Sequence, residues 1–276
     1  MTDEKKYMDF AKSLVGLRHQ DVLEVGGCIS PEVITDYEPR SWTSIDVNPK
    51  RFEGKTTFNG NFTFTAENMS VTDIKHPDNS FDRIFSVNCF EHVDDLKKGM
   101  DEMFRVLRPG GKLFTIFGPI WSSPVGHHTW IEYEGHIYHF MNGVFPDWDH
   151  LIKTRSELKS DLEERYDEEL AENICRYVYD SSDINRLADG DYEKNLKDSN
   201  FRVNLRVRKK RGKKPSKKRR EAIIYNYPSC NDPTVTEYLL VVSKGKISIR
   251  DTFTMYFGLV SQLMNKILQK VFPRSV

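Results

Sequence analysis

The pattern of apolar and polar positions changes period twice between residues 81 and 117. Ile84, Phe85 and Val87 form a short apolar run that ends at Asn88-Cys89. Leu96, Met100, Met103, Phe104 and Leu107 then recur at spacings of three and four, and Leu113, Thr115 and Phe117 return to alternation. The outer periods are those of strands and the middle one that of an amphipathic helix. Arg105 and Arg108 fall in the last helical turn, where cations suit the helix dipole, and Pro109-Gly110-Gly111 ends it. Strand, helix and strand in succession predict a parallel pair within an α/β sheet.

The same pattern extends upstream. Val22-Leu23-Glu24-Val25 reads as an apolar strand carrying one acid, followed by Gly26-Gly27, and Ser30-Pro31-Glu32 as a helix start. A second strand over Trp42 to Val47 places Asp46 near its tip, 22 residues after Glu24. Glycines after a first strand and an acid at the tip of the second suit a nucleoside ligand: backbone approaches closely and the carboxylate accepts from a ribose. Residues 4–18 read as an amphipathic leading helix, 20–118 as five strands with helices between them, and 119–180 as an insertion, aromatic and histidine-rich at first and then acidic. Residues 183–198 read as a further core helix, 201–208 as a strand, and 237–243 as the last strand.

On these residues the chain resembles the class I S-adenosylmethionine-dependent methyltransferases, in their broad small-molecule branch. Pro77 to Asp82, the Asn88-Cys89-Phe90-Glu91-His92 stretch and Arg105 to Gly111 match that family's fourth strand and the turn after the next helix. The resemblance covers roughly residues 15–120 and implies a Rossmann-like seven-stranded sheet, mostly parallel with an antiparallel last strand, helices on both faces. It implies S-adenosyl-L-methionine as cofactor, leaving as S-adenosyl-L-homocysteine. It assigns Glu24, Gly26 and Gly27 to the methionine part, Asp46 and Val47 to the ribose side, Ser70 and Val71 to adenine, and Asn88 and Cys89 to the end of the fourth strand. The sequence departs at Gly26-Gly27-Cys28-Ile29-Ser30, where the family has Gly-x-Gly-x-Gly, and at Ser70, which stands in for an acid.

Methyl transfer to an oxygen needs an aligned acceptor, excluded water and a base. Five of the eight histidines lie between residues 127 and 150, just after the fifth predicted strand. His127, His128 and, at the tip of the fourth strand, His92 are the candidate bases; for the His127-His128 pair a structural role and metal binding stay open, and no metal is expected from their spacing. Trp121, Trp130, Tyr138 and His139 are expected to wall the acceptor pocket.

Acidic and basic residues balance at 41 each, but residues 206–220 carry eleven positive charges and no negative one. That run is expected to be a hairpin tip, with contact to nucleic acid or to anionic lipid as alternatives. Residues 250–276 read as an amphipathic C-terminal helix after a domain of residues 1–249. It either packs on the domain or on a second copy, as a homodimer, or lies on a membrane surface. Four scattered cysteines without a C-x-x-C pair and a charged opening, Met1 to Lys6, lead to the expectation of a cytoplasmic protein, peripheral at the inner face of the membrane if the tail binds lipid. The expected activity is O-methylation of a small molecule or a glycan or cell-envelope precursor. The rivals are an RNA methyltransferase using the basic run and an inactive binding scaffold.

Overall fold

The computed structural model describes residues 3–27, 29–48, 55–58, 62–246, 252–253 and 255–260. The leading helix α1 (Asp3–Val15) is followed by β1 (Asp21–Val25), a short α2 (Pro31–Thr35), β2 (Ser41–Asp46), β3 (Lys55–Phe58), β4 (Phe62–Asn68), β5 (Phe81–Val87), α3 (Leu96–Val106) and β6 (Leu107–Phe117). The insertion adds a ribbon of β7 (Trp130–Tyr133) and β8 (His136–His139), then α4 (Asp149–Ile152), α5 (Arg155–Glu163) and α6 (Glu168–Cys175). The chain returns to the sheet through α7 (Asp189–Asp198), β9 (Arg202–Lys210), α8 (Lys217–Asn226) and β10 (Val235–Ser243).

The main sheet runs β3-β4-β2-β1-β5-β6-β10-β9. β4, β2, β1, β5 and β6 are parallel, and β10 inserts antiparallel between β6 and β9. This is the expected seven-stranded order with one addition: β3 pairs antiparallel to β4 at the edge. Residues 20–118 therefore hold six strands instead of five, the extra one drawn from the Thr56-Thr57-Phe58 run, whose side chains suit a strand. Two apolar layers cover the faces. Leu23, Ile84, Met100, Met103, Leu113 and Phe117 belong to one. Met8, Ala11, Leu14, Trp42, Phe85 and Phe114 belong to the other, so α1 packs on the sheet through its i, i+3 and i+6 positions. Residues 255–260 are helical, and Met255 and Leu259 join that second layer beside α1. The rest of the expected tail helix, 261–276, lies outside the described residues.

Three expectations are corrected. The helix over 183–198 begins only at Asp189. Asn185 donates instead to the carbonyls of Phe90 and Val93, and Arg186, at φ +53°, donates to those of Val178, Tyr179 and Ser181. Residues 183–188 thus form a strap across the end of β5. The basic run is no hairpin tip: residues 206–210 extend β9, 217–220 open α8, and only 211–216 is loop. The insertion is also larger than 119–180. Its own core of Trp121, Phe145, Trp148, Leu158, Leu162 and Ile174 recruits Ile184, Ile223 and Cys230 from much later in the chain.

Gly126 sits where the insertion leaves the sheet. A Cβ there would lie 2.2 Å from the Ile120 carbonyl oxygen and 2.3 Å from that of Trp121. Gly126→Ala is expected to destabilise the protein by roughly 1–3 kcal/mol, read as a fall of several degrees in Tm; an unchanged melting curve would contradict this packing.

Candidate active site

Four strand tips meet at one edge of the sheet. At β1, Glu24 is buried and its carboxylate is fully engaged: Oε1 accepts from the Ile29 amide at 3.0 Å, and Oε2 from Trp42 Nε1 at 2.8 Å and from the Ser44 hydroxyl. Glu24 therefore shapes the glycine crest and supports it from below, a change from the expected direct contact. The amides of Gly26 and Gly27 both point at the Ile45 carbonyl, at 3.0 and 3.3 Å. Gly26 has φ +76°, and a Cβ on it would lie 2.6 Å from both Cβ and Sγ of Cys89. The tips of β1 and β5 thus touch through a notch that only glycine leaves open.

At the end of β2 the Asp46 carboxylate is half-buried and accepts from the Asn48 amide at 2.7 Å, while Val47 is 67% exposed. The Asp46 carbonyl accepts from Met69, which brings the segment after β4 alongside. There Ser70 shares a hydrogen bond with the Thr72 hydroxyl, whereas Val71 packs inward beside Gly99 and so serves the core instead of a ligand. A carboxylate that can accept from ribose hydroxyls, an exposed apolar valine and a hydroxyl lie along this edge, and these residues fit an adenosine.

Beyond β5, Asn88 is exposed at φ +49° and donates its amide to the Ile116 carbonyl. Glu91 is buried: Oε1 accepts from the Gly118 amide at 2.9 Å, the Glu91 carbonyl accepts from Asn185, and Oε2 has no partner among the described residues. Burial pushes its carboxyl pKa up. The neighbouring His92 is exposed. Its Nδ1 donates to the Asp183 carbonyl, which leaves Nε2 as the lone-pair nitrogen facing solvent.

Residues 23–115 match the family model described as a methyltransferase domain. A solved S-adenosylmethionine-dependent methyltransferase of Mesorhizobium loti shares the fold, with a TM-score of 0.51 over 87% of this chain and 97% of its own at 15% identity. Residues 23–115 thus resemble methyltransferase domains in sequence, and the chain takes their fold. Phosphoethanolamine N-methyltransferase 2 of Caenorhabditis elegans is 42% identical over 53 residues, 18% of this chain. Malonyl-[acyl-carrier protein] O-methyltransferase of a Paenibacillus species is 28% identical over 109 residues, 36% of this chain. The matches take up 12% and 39% of those relatives' own lengths.

The strand-tip edge receives only some of the expected acceptor-side residues. His128 comes to it: its ring meets His92 edge-on at 5.3 Å, and its Nε2 donates to the Pro119 carbonyl. His127 turns away into the insertion, against Phe145 at 4.2 Å and His150 at 5.4 Å, and its Nδ1 accepts from the Thr129 amide. Trp121, expected in a pocket wall, is 1% exposed in the insertion core. Tyr138 packs on Tyr166, while Trp130 is exposed, edge-on to His139. Sequence reasoning placed Glu91 in the fourth-strand motif without a role as a buried link, and missed Asn185, the strap's anchor, which no motif flags. Among the described residues, no three histidine, cysteine or acidic side chains converge to hold a metal ion.

Burial keeps three histidines neutral: His127 falls well below its ordinary value, His128 to about 3 and His150 to about 4. In the unfolded chain each titrates near 6.5. Below that pH the unfolded chain binds protons that the folded one does not, so stability falls as pH drops from 6.5 towards 4, and is unaffected above 6.5. Each group contributes about 1.4 kcal/mol per pH unit in that window. His150→Gln keeps a donor for the Trp121 carbonyl and is expected to remove about one proton's worth of this slope in urea melts at pH 7, 6 and 5; an identical slope would contradict the assignment.

Proposed function

We propose that the protein transfers a methyl group from S-adenosyl-L-methionine to an oxygen of a small molecule or sugar, with His92 Nε2 as the base. The observation that carries this reading is the tautomer of His92. A carbonyl can only accept, so the Asp183 oxygen fixes the proton of the neutral ring on Nδ1 and leaves Nε2 with the lone pair, on an exposed residue whose own amide donates to the Cys89 carbonyl just beyond β5. His128 is the second candidate, with Nδ1 as its lone-pair nitrogen, but its buried ring is the weaker base. His127 is engaged inside the insertion and serves structure.

Bound cofactor supplies an electrophilic methyl on a sulfonium. The chain's part is to hold and to exclude. Asp46 accepts from the ribose hydroxyls, Val47 and Ser70 border the adenine, and the Gly26-Gly27 crest lets backbone approach the methionine end. His92 takes the proton from the acceptor hydroxyl. The matched relatives' names include an N- and an O-methyltransferase, so the choice of oxygen rests on His92.

The RNA reading loses support from the basic run itself. Arg206 pairs with Glu193, Lys209 with Glu237, Lys210 with Asp232, Lys213 with Asp147 and Arg219 with Asp149. A scaffold without turnover is disfavoured by the uncommitted Nε2 of His92. A peripheral membrane site keeps one observation: Phe253, Tyr256, Phe257 and Val260 are exposed on the tail segment that packs beside α1. Among the described residues no helix is long and apolar enough to cross a membrane. The doubly substituted F253S/F257S protein is expected to lose flotation with anionic vesicles if this patch inserts; equal flotation of both proteins would end that reading.

His92→Ala is expected to lower turnover by about two to four orders of magnitude while leaving cofactor affinity intact. Asp46→Ala is expected to weaken binding of the demethylated cofactor about 10- to 100-fold in calorimetry with little change in Tm. Full turnover in the first variant would remove the base assignment, and unchanged affinity in the second would remove the nucleoside site.

A further inference from the structure

A groove of about 470 Å³ opens on the insertion, lined by Trp130, Ile131, Asn173, Arg176, Tyr177, Asp180 and Ser181. Its volume lies in the range of small-ligand sites. Two routes tie it to His92. Through the backbone, Ser181 is two residues from Asp183, a reach of at most about 7 Å, and the Asp183 carbonyl holds His92 Nδ1. Asp183 is tied back to the groove as well, since its amide donates to the Ser181 hydroxyl at 2.9 Å and its side chain bonds Tyr177. Through the side chains, Trp130 meets His139 at 4.5 Å, His139 meets Phe140 at 4.1 Å, Phe140 stacks on His128 at 5.4 Å, and His128 meets His92 at 5.3 Å.

The groove's charges are arranged asymmetrically. Asp180 is held by Arg155 at 3.3 Å, and Glu172 by Arg155 as well. The Arg176 guanidinium is exposed and lies near enough to Glu172 to help Arg155, the main cause, hold that carboxyl down. It lies in the π-helical turn Arg176–Asp180 that ends α6, a distortion that often marks functional positions. Trp130, in the same lining, is 57% exposed, and the other three tryptophans are buried.

We infer that this groove is the docking subsite of the methyl acceptor, and that the acceptor carries a phosphate or carboxylate for Arg176 beside a ring for Trp130. Arginine's planar fork matches either oxyanion, and the indole takes the flat apolar face. An acceptor so anchored is elongated: its anionic end sits on the insertion while its hydroxyl reaches His92. The inference rests on the methyl-transfer reading above.

The test is calorimetry of the full chain, saturated with S-adenosyl-L-homocysteine, against phenyl phosphate, benzoate, phenol and inorganic phosphate. At least one of phenyl phosphate and benzoate is expected to bind more tightly than phenol or inorganic phosphate, and the better of the two names the anion. Arg176→Ala is expected to weaken that probe at least tenfold, with Arg176→Lys between it and the parent. Trp130→Ala is expected to weaken the aromatic anion but not inorganic phosphate. Binding that is equal in the parent and Arg176→Ala, or absent for both aromatic anions, overturns the assignment. Loss of homocysteine-nucleoside binding by the parent protein would instead sink the methyl-transfer reading, which separates the two failures.

Discussion

The buried carboxyl of Glu91 holds the reactive edge of this protein together. It stands one residue before His92, receives the Gly118 amide where β6 gives way to the insertion, and its own carbonyl takes the Asn185 amide from the strap. Three chain segments that are distant in sequence converge on one residue. Burying a charge there would be costly, and the upward shift of its pKa reflects a preference for the neutral acid. Asn185 reinforces the knot by donating to Phe90 and Val93 on either side. The strap so fixed delivers the Asp183 carbonyl to His92, so the orientation of that ring depends on a group that never faces solvent.

Much of the sheet was legible in the sequence because its period is strict. The alternation after Pro109-Gly110-Gly111 and the three–four spacing from Leu96 to Leu107 leave little choice of element, and the strand-tip acid Asp46 stands where the pattern put it. The extra edge strand β3 was not legible, since four residues carry too little period to register. The helix over 183–198 was read too long because Ile184 and Leu187 have helical spacing with Tyr192 and Leu196. Asn185 and Arg186 override that spacing with hydrogen bonds to distant carbonyls, and nothing local announces them.

The site was legible to a different degree on its two sides. Residues at strand tips follow from topology, so Gly26, Asp46 and Asn88 could be placed from order alone. Side chains within those tips could not be oriented: Glu24 and Val71 face inward because Trp42, Ser44 and Gly99 offer them partners or space there. On the acceptor side the insertion has no repeating pattern. His127 and His128 are adjacent in sequence yet point to opposite environments, one among Phe145 and His150, the other towards His92. Arg176 and Tyr177 carry no sequence signal, and their value comes from the turn that presents them. The basic run misled because its partners, Glu193, Asp147 and Asp149 among them, come from other segments and offset part of what looks like an unbroken field.

The insertion's core also has a kinetic side. Trp121 and Ile223 share one apolar cluster although roughly 100 residues separate them. During synthesis at about 5–20 residues per second, the first half of that cluster therefore waits on the order of 5–20 seconds for α8 to emerge. Until then Trp121, Trp148 and Leu158 have no lid, while the parallel strands from β1 to β6 are already complete. The nascent chain thus passes through a stage in which a sheet still open at β6, where β10 has yet to insert, carries an open, sticky flap, the interval in which a ribosome-bound holdase has most to protect.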